Sequence, residues 1–323
     1  MTQTLRWGVL GGAKFAREHM ARAIHAAEGS DLVALATSSP EKAAGFQSYA
    51  PNLRVHQSYD DLLADPEVDA VYIPLPNNLH VEWTLKALDA GKHVLCEKPL
   101  AMKAEQFDEV IAKRDATGLL AAEAYMIVQH PQWQMVRDLV QSGAIGKLRH
   151  VEGVFTYDNR ADGGNIRNKP ETGGGALPDI GVYTYGSTRF VTGEEPVEIH
   201  ADIDFENGVD VYAHAHGRFE NFTFSLVNSM RMSNQQHMGF HGEKGRITLS
   251  APFNAGVFSE ARVEIETTPG TVTVHRFPGV NQYVLQVQNF SKAVLEGADY
   301  PCPLEFCRGT QAMIDQVYAA AKG

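Results

Sequence analysis

Short apolar runs alternate with helical periodicity through roughly the first third of the chain. The runs at 5–10, 32–36, 70–73, 93–96 and 119–122 read as buried strands. Between them, Val81, Leu85 and Leu88 form one stripe at helical spacing; Phe107, Val110 and Ile111 form another, stopped by Gly118. This alternation predicts parallel strands joined by right-handed crossovers, an α/β Rossmann-type doubly wound sheet. The rhythm changes near Gln129. One helix, with Trp133, Val136, Leu139 and Val140 on a face and Gly143 as its stop, precedes segments that alternate with period two. These lie at 148–157, 197–205, 211–219, 222–230, 245–249, 263–266 and 272–277, with polar turns such as Glu206-Asn207-Gly208 and Glu220-Asn221. They predict an α+β C-terminal domain with a large, mostly antiparallel open sheet. Helices at 175–191 and 281–296 are expected to cover one face, leaving the other for a partner subunit. The domains are read as 1–122, holding the doubly wound sheet, and 123–323, holding the open sheet whose free face is expected to form a homodimer.

Composition narrows the function. The chain has 323 residues, too many for one ordinary core. Its net charge of -11 argues against nucleic acid, whose binders present basic faces. No apolar run reaches the ~20 residues that span a bilayer, and Met1 to Leu10 lacks the basic-then-apolar pattern of a secretory signal. Cys96, Cys302 and Cys307 are an odd set without metal-ligand spacing. A cytoplasmic protein is expected, for which the sequon Asn221-Phe222-Thr223 carries no meaning.

The first run passes straight into Gly11-Gly12-Ala13-Lys14-Phe15-Ala16. Gly11 permits a sharp turn, the small Ala13 permits close approach of a pyrophosphate, and Ala16 permits tight helix packing. The helix that follows offers free N–H groups and a positive dipole end to phosphates. The pattern is Gly-x-Ala-x-x-Ala rather than Gly-x-Gly-x-x-Gly. At the end of the second run, where NAD sites usually carry an acid, stand Thr37, Ser38, Ser39, Pro40 and Lys42. Hydroxyls and a lysine suit a 2'-phosphate, so NADP is favoured and NAD is the alternative; the same residues also read as a plain helix start. Asn77 and His80 follow the run 70–73, where the cofactor crevice of a doubly wound sheet lies. His80 reads equally as a cap of the next helix.

Three further segments accompany the glycine loop: Leu75-Pro76-Asn77-Asn78-Leu79-His80, Cys96-Glu97-Lys98-Pro99 and Gly173-Gly174-Gly175-Ala176-Leu177-Pro178-Asp179-Ile180-Gly181-Val182-Tyr183. In this order and spacing the chain resembles the glucose-fructose oxidoreductase / inositol dehydrogenase / MocA family along nearly its whole length. The resemblance implies that Leu75, Pro76, Asn77, Glu97, Lys98 and Tyr283 belong to the cofactor site. It further implies that Lys98, Asp179 and Tyr183 line the place where substrate meets nicotinamide. Many family members carry histidine at the position of Tyr183. The tyrosine form, with Asn165-Ile166-Arg167 ahead of the glycines, resembles the branch holding xylose and dihydrodiol dehydrogenases.

Oxidising an alcohol requires a base for the hydroxyl proton while hydride leaves the same carbon. A tyrosine ionises near pH 10 unperturbed. A lysine ammonium about 4 Å away, at an effective dielectric near 20, is worth about 4 kcal/mol, or roughly three pKa units at most. Lys98 is therefore expected to bring Tyr183 toward neutrality. Asp179, four residues earlier, shares its helix face and is expected to hold the substrate hydroxyl or the lysine, and Arg167 is the expected polar substrate contact. His214 and His216 alternate on one strand face, but no third ligand stands at recognisable spacing, so no metal is expected. These residues predict an NADP-dependent oxidoreductase of a sugar, an aldose, with a trans-diol as alternative substrate. An NAD-assisted glycosidase and a non-catalytic NADP sensor are the readings from other classes.

Overall fold

The buried runs of the N-terminal region assemble into one parallel sheet. The computed structural model describes residues 4–321, which divide into two units. One takes the chain up to Met126 together with Gln282–Cys307; the other takes Ile127–Asn281 and the chain from Arg308 onward. In the first unit, β1 (Leu5–Leu10), β2 (Ser30–Ala36), β3 (Arg54–His56), β4 (Ala70–Ile73), β5 (His93–Cys96) and β6 (Ala121–Glu123) lie in the order β3-β2-β1-β4-β5-β6. Every pairing is parallel. Chain direction across the sheet reverses between β1 and β4, the switch point at which such sheets bind ligands beyond their carboxyl ends. The short β3 was not anticipated, because Arg54-Val55-His56 offers one apolar residue and is half-buried throughout.

The helix over Gln282–Glu296 corrects an expectation. It belongs to the first unit. Its Phe290 ring lies 4.9 Å from that of Trp7 on β1, and Ser291 Oγ lies 2.7 Å from Ser30 Oγ on β2. Its apolar stripe matches the parallel sheet, so a single second domain over 123–323 does not describe the chain's return.

The second unit holds an eight-stranded sheet of β7 (Leu148–Asp158), β8 (Pro196–Glu206), β9 (Val209–Phe219), β10 (Thr223–Ser229), β11 (Arg231–Gly242), β12 (Arg246–Leu249), β13 (Arg262–Thr268) and β14 (Thr271–Arg276). Their order is β14-β13-β12-β11-β7-β10-β9-β8, antiparallel except for β7 and β10. The turn between β8 and β9 places Asn207 and Gly208 at φ 51° and 83°, the pair of positive values that a two-residue hairpin requires. β11 was missed, since Met232 to Gln235 is exposed and lacks alternation.

One face of this sheet is packed by the helices over Pro131–Gln141 and Val182–Thr192; the second is the helix expected at 175–191, and the first stands where the helix at 281–296 was expected. Trp133 Nε1 donates to the Pro252 carbonyl at 2.7 Å, and Thr184 Oγ1 lies 3.1 Å from Asn228 Oδ1 on β10. The other face is mixed, with Val274 of β14 exposed beside polar groups. There His200, His216 and His214 stack at 5.4 and 5.1 Å across β8 and β9, and Glu152 stands exposed on β7. Among the described residues no helix is long and apolar enough to cross a membrane.

Candidate functional site

In the first unit the expected cofactor residues gather at the carboxyl ends of β1, β2, β4 and β5. Gly11 has φ +108° and donates its N–H to the Ala36 carbonyl at 3.0 Å. A Cβ there would stand 3.1 Å from Leu75 Cδ2 and 3.3 Å from Tyr59 Oη, so both conformation and space call for glycine. Beside it, a Cβ on Gly12 would meet Lys42 Cβ at 3.0 Å and Thr37 Oγ1 at 3.4 Å. The structure thus brings Gly12, Thr37 and Lys42 together. Ala13 follows with no bulk, and its carbonyl accepts from Arg17 N at 3.1 Å, while Lys14 is exposed. A π turn over Ala16–Met20 opens the helix, a local widening frequent at functional sites.

Thr37 is buried and its hydroxyl accepts from Ser39 N; Ser39 in turn caps the helix over Pro40–Gln47 by accepting from Lys42 N at 3.3 Å. The helix-start reading is therefore realised at Ser39, while the side chains of Ser38 and Lys42 remain exposed. Arg17, not singled out from sequence, lies over the same helix: its Cδ is 2.8 Å from where a Cβ on Gly45 would be. Phe15 and Tyr283 are brought together, their rings 5.8 Å apart, with the unanticipated His19 at 5.0 and 5.6 Å from them.

Glu97 accepts from Tyr72 Oη at 2.6 Å and from Lys98 N at 3.3 Å. Burial, then Glu97 and Tyr283, hold the Tyr72 hydroxyl well above its ordinary pKa. Lys98 is half-buried at the end of β5, before a cis bond to Pro99. Asn77 begins a short 3-10 turn after Pro76. His80 departs from expectation. It is fully buried, with Nδ1 2.8 Å from the Pro99 carbonyl oxygen and Nε2 2.7 Å from that of Leu75. Burial lowers its pKa. Its side chain ties two loops together and has no ring nitrogen left for a ligand.

In the second unit Asp179 and Tyr183 lie in and just after a π turn over Leu177–Gly181. Asp179 Oδ2 takes an ion pair from Arg167 Nε at 2.8 Å and a hydrogen bond from Tyr157 Oη at 2.6 Å. The carboxylate raises the Arg167 pKa, and burial followed by Asp179 pushes Tyr157 well up. The Tyr183 ring, 6% exposed, packs 5.7 Å from both Phe155 and Phe253. Asp210 sets the helix start, with Oδ2 accepting Leu177 N–H at 2.7 Å and Oδ1 accepting from Tyr318 Oη at 2.6 Å. Gly175, at φ +134°, makes room for it: a Cβ there would fall 2.1 Å from Asp210 Oδ1. Tyr157 and Asp210 were not recognised from sequence, because their partners lie 22 and 33 residues away.

The comparisons agree with this architecture. Residues 5–125 match the description "Oxidoreductase family, NAD-binding Rossmann fold", and residues 133–248 match the "GFO/IDH/MocA C-terminal domain". A dTDP-3,4-didehydro-2,6-dideoxy-alpha-D-glucose 3-reductase of Saccharopolyspora spinosa is 33% identical over 98% of this chain and 95% of its own.

The chain belongs to the glucose-fructose oxidoreductase / inositol dehydrogenase / MocA family.

Another member, the NADP(+) D-xylose 1-dehydrogenase 2 of Haloferax volcanii, is 28% identical over 98% of each chain. The crystal structure of KijD10, a 3-ketoreductase from Actinomadura kijaniata in complex with NADP and TDP-benzene, superposes with a TM-score of 0.89. It is 31% identical and covers 98% of each chain. The fold expected from sequence is thus the fold of a family of oxidoreductases.

Proposed function

We propose that the protein is an NADP-dependent sugar oxidoreductase that exchanges hydride at the anomeric carbon of an aldose, with Tyr183 as acid/base. The observation that carries this reading is the arrangement around Tyr183. Its ring is fixed against the stacked pair Phe155 and Phe253, four residues beyond an Asp179 held by Arg167 and Tyr157. Positioned groups of this kind are what proton transfer demands.

The glycine loop fits a dinucleotide. Gly11, Gly12 and Ala13 bare the backbone where a pyrophosphate would lie, while Thr37, Ser38 and Lys42, with Arg17 near the same helix, offer hydroxyls and cations to a 2'-phosphate. Lys14, Phe15, Leu75, Pro76, Asn77, Glu97 and Tyr283 complete the assignment. Bound there, the nicotinamide supplies or accepts hydride. Tyr183 takes the proton from the sugar hydroxyl, Lys98 stabilises the phenolate, and Arg167 and Asp179 orient neighbouring hydroxyls. A second copy on the open sheet face would complete a homodimer in the cytoplasm.

A second reading is favoured by the nucleotide-sugar ketoreductases among the relatives: reduction of a ketone on a nucleotide-linked sugar by the same groups. Absorbance at 340 nm with NADP or NADPH, an aldose panel and a dTDP-linked keto sugar separates the two. Aldose-dependent NADP reduction is expected. NADPH oxidation by the keto sugar alone would replace the aldose reading, and silence with both would refute sugar chemistry.

A further inference from the structure

Two of the three cysteines meet in a place that catalysis does not require. Cys302 and Cys307 Sγ lie 3.5 Å apart, both buried. Cys302 sits between exposed Pro301 and Pro303, in a segment outside any helix or strand. Cys307 is in the first turn of the helix over Leu304–Ala320, where its thiol and the Glu123 carboxyl at the end of β6 act on one another's ionisation. Glu123 is also buried, and its Oε2 accepts the Leu100 N–H at 2.8 Å, two residues beyond Lys98. Cys96 has another partner, the Ile73 carbonyl.

We propose that Cys302 and Cys307 are a reversible redox site that closes to an intrachain disulfide by exchange with a low-molecular-weight disulfide. Its state passes through Glu123 to the loop carrying Lys98. Buried cysteines are ordinarily packing. Here the two sulfurs touch, and the thiol of one faces a carboxyl group able to take its proton. A disulfide needs about 2.0 Å between sulfurs, so closure asks for a shift of about 1.5 Å. Irregular segments open locally at low cost, which gives a reagent access to Cys302.

The steps balance. The Cys302 thiolate attacks the reagent disulfide, forming a mixed disulfide and expelling one thiol. Cys307 passes its proton to Glu123, and its sulfur attacks Cys302 Sγ, expelling the second thiol. Two protein thiols are oxidised and one reagent disulfide is reduced. Burial raises Glu123 to about 7, so the ionised form that accepts the proton is well populated at neutral pH. The Cys302 contact and burial push the Cys307 thiol up, which keeps the reduced pair unreactive while it stays buried. After oxidation Cys307 has no proton to share, and Glu123 keeps the Leu100 N–H.

The effect on turnover rests on the role proposed for Lys98; the disulfide does not. The test treats the full chain with oxidised glutathione. It follows intact mass, peptide mapping, backbone hydrogen exchange at Leu100, and turnover. The expected result is loss of two hydrogens, a 302–307 crosslink, a change of about tenfold in Leu100 exchange and a several-fold fall in turnover, all reversed by dithiothreitol. Cys302→Ser and Cys302→Ala should keep the reduced turnover and lose the response. Stable mixed disulfides, no reaction in the folded chain, or a disulfide that leaves Leu100 exchange unchanged would overturn the proposal. If every sugar proves inert, mass and exchange still decide it.

Discussion

In the first unit the residues assigned to the cofactor are placed by main chain: Gly11 by its positive φ, Thr37 and Lys42 by the end of β2 and a capped helix, Lys98 by the end of β5. In the second unit the assigned residues are placed by side chains that reach across the fold. Arg167 and Tyr157 hold Asp179, and Asp210 holds the helix start beneath it. A main-chain site follows from strand order and glycine spacing. A side-chain site depends on which distant residues arrive, and single substitutions should disturb it more selectively.

The largest expected effect falls on chemistry. Lys98→Ala should lower turnover by about a thousandfold with NADP affinity within a few-fold, read by steady-state kinetics and cofactor titration. Full activity would leave Lys98 without its proposed role.

Gly175→Ala tests the side-chain half. Its Cβ would collide with Asp210 Oδ1 at a φ that L residues rarely adopt. A loss of about 3 kcal/mol is expected from a denaturant melt. Gly118→Ala sharpens the contrast. Its φ is +68° but a Cβ meets nothing within 4 Å, so its loss should be smaller, about 1 kcal/mol.

Glu123 gives a pH signature in the first unit. Its pKa rises from 4.5 to about 7, chiefly through burial, so the folded state holds a proton that the unfolded chain releases. The associated stability is fully present below pH 4.5 and is lost as pH rises through about 7, at most about 3 kcal/mol. Glu123→Gln keeps an acceptor for Leu100 and should flatten that decline in melts across pH 4.5–7.5. An unchanged slope would assign the decline to other groups.

Lys42→Ala is the smallest and most local change. It should weaken NADP about tenfold and leave NAD unaffected in parallel binding titrations. Equal weakening of both would place Lys42 on the pyrophosphate instead.

The same contrast explains what could be read in advance. Buried parallel strands are continuous apolar runs, so β1, β2, β4 and β5 were legible, as was the glycine loop between β1 and its helix. β11 was not, because its first half is polar and its place in the sheet comes from pairing with β7. The helix over Gln282–Glu296 was recognisable by periodicity, but a stripe does not say which sheet it covers; Phe290 against Trp7 decides that. His80 carried two readings, and two carbonyl partners supplied by the loops at Leu75 and Pro99 gave it a structural role. Asp179 and Tyr183 were singled out by the family resemblance of the segment 173–183. Tyr157 and Asp210 were invisible, since nothing local marks a strand tyrosine or a buried aspartate as a partner.

The most direct test of the proposed chemistry is the single-turnover rate of Tyr183→Phe with NADP and an aldose the wild type oxidises, measured across pH. The ring packing against Phe155 and Phe253 is retained, so folding and cofactor binding should persist while the rate falls by about a thousandfold and loses the fall toward low pH that protonation of the base imposes. A variant that turns over at the wild-type rate with the wild-type pH profile would contradict the assignment of Tyr183 as the acid/base.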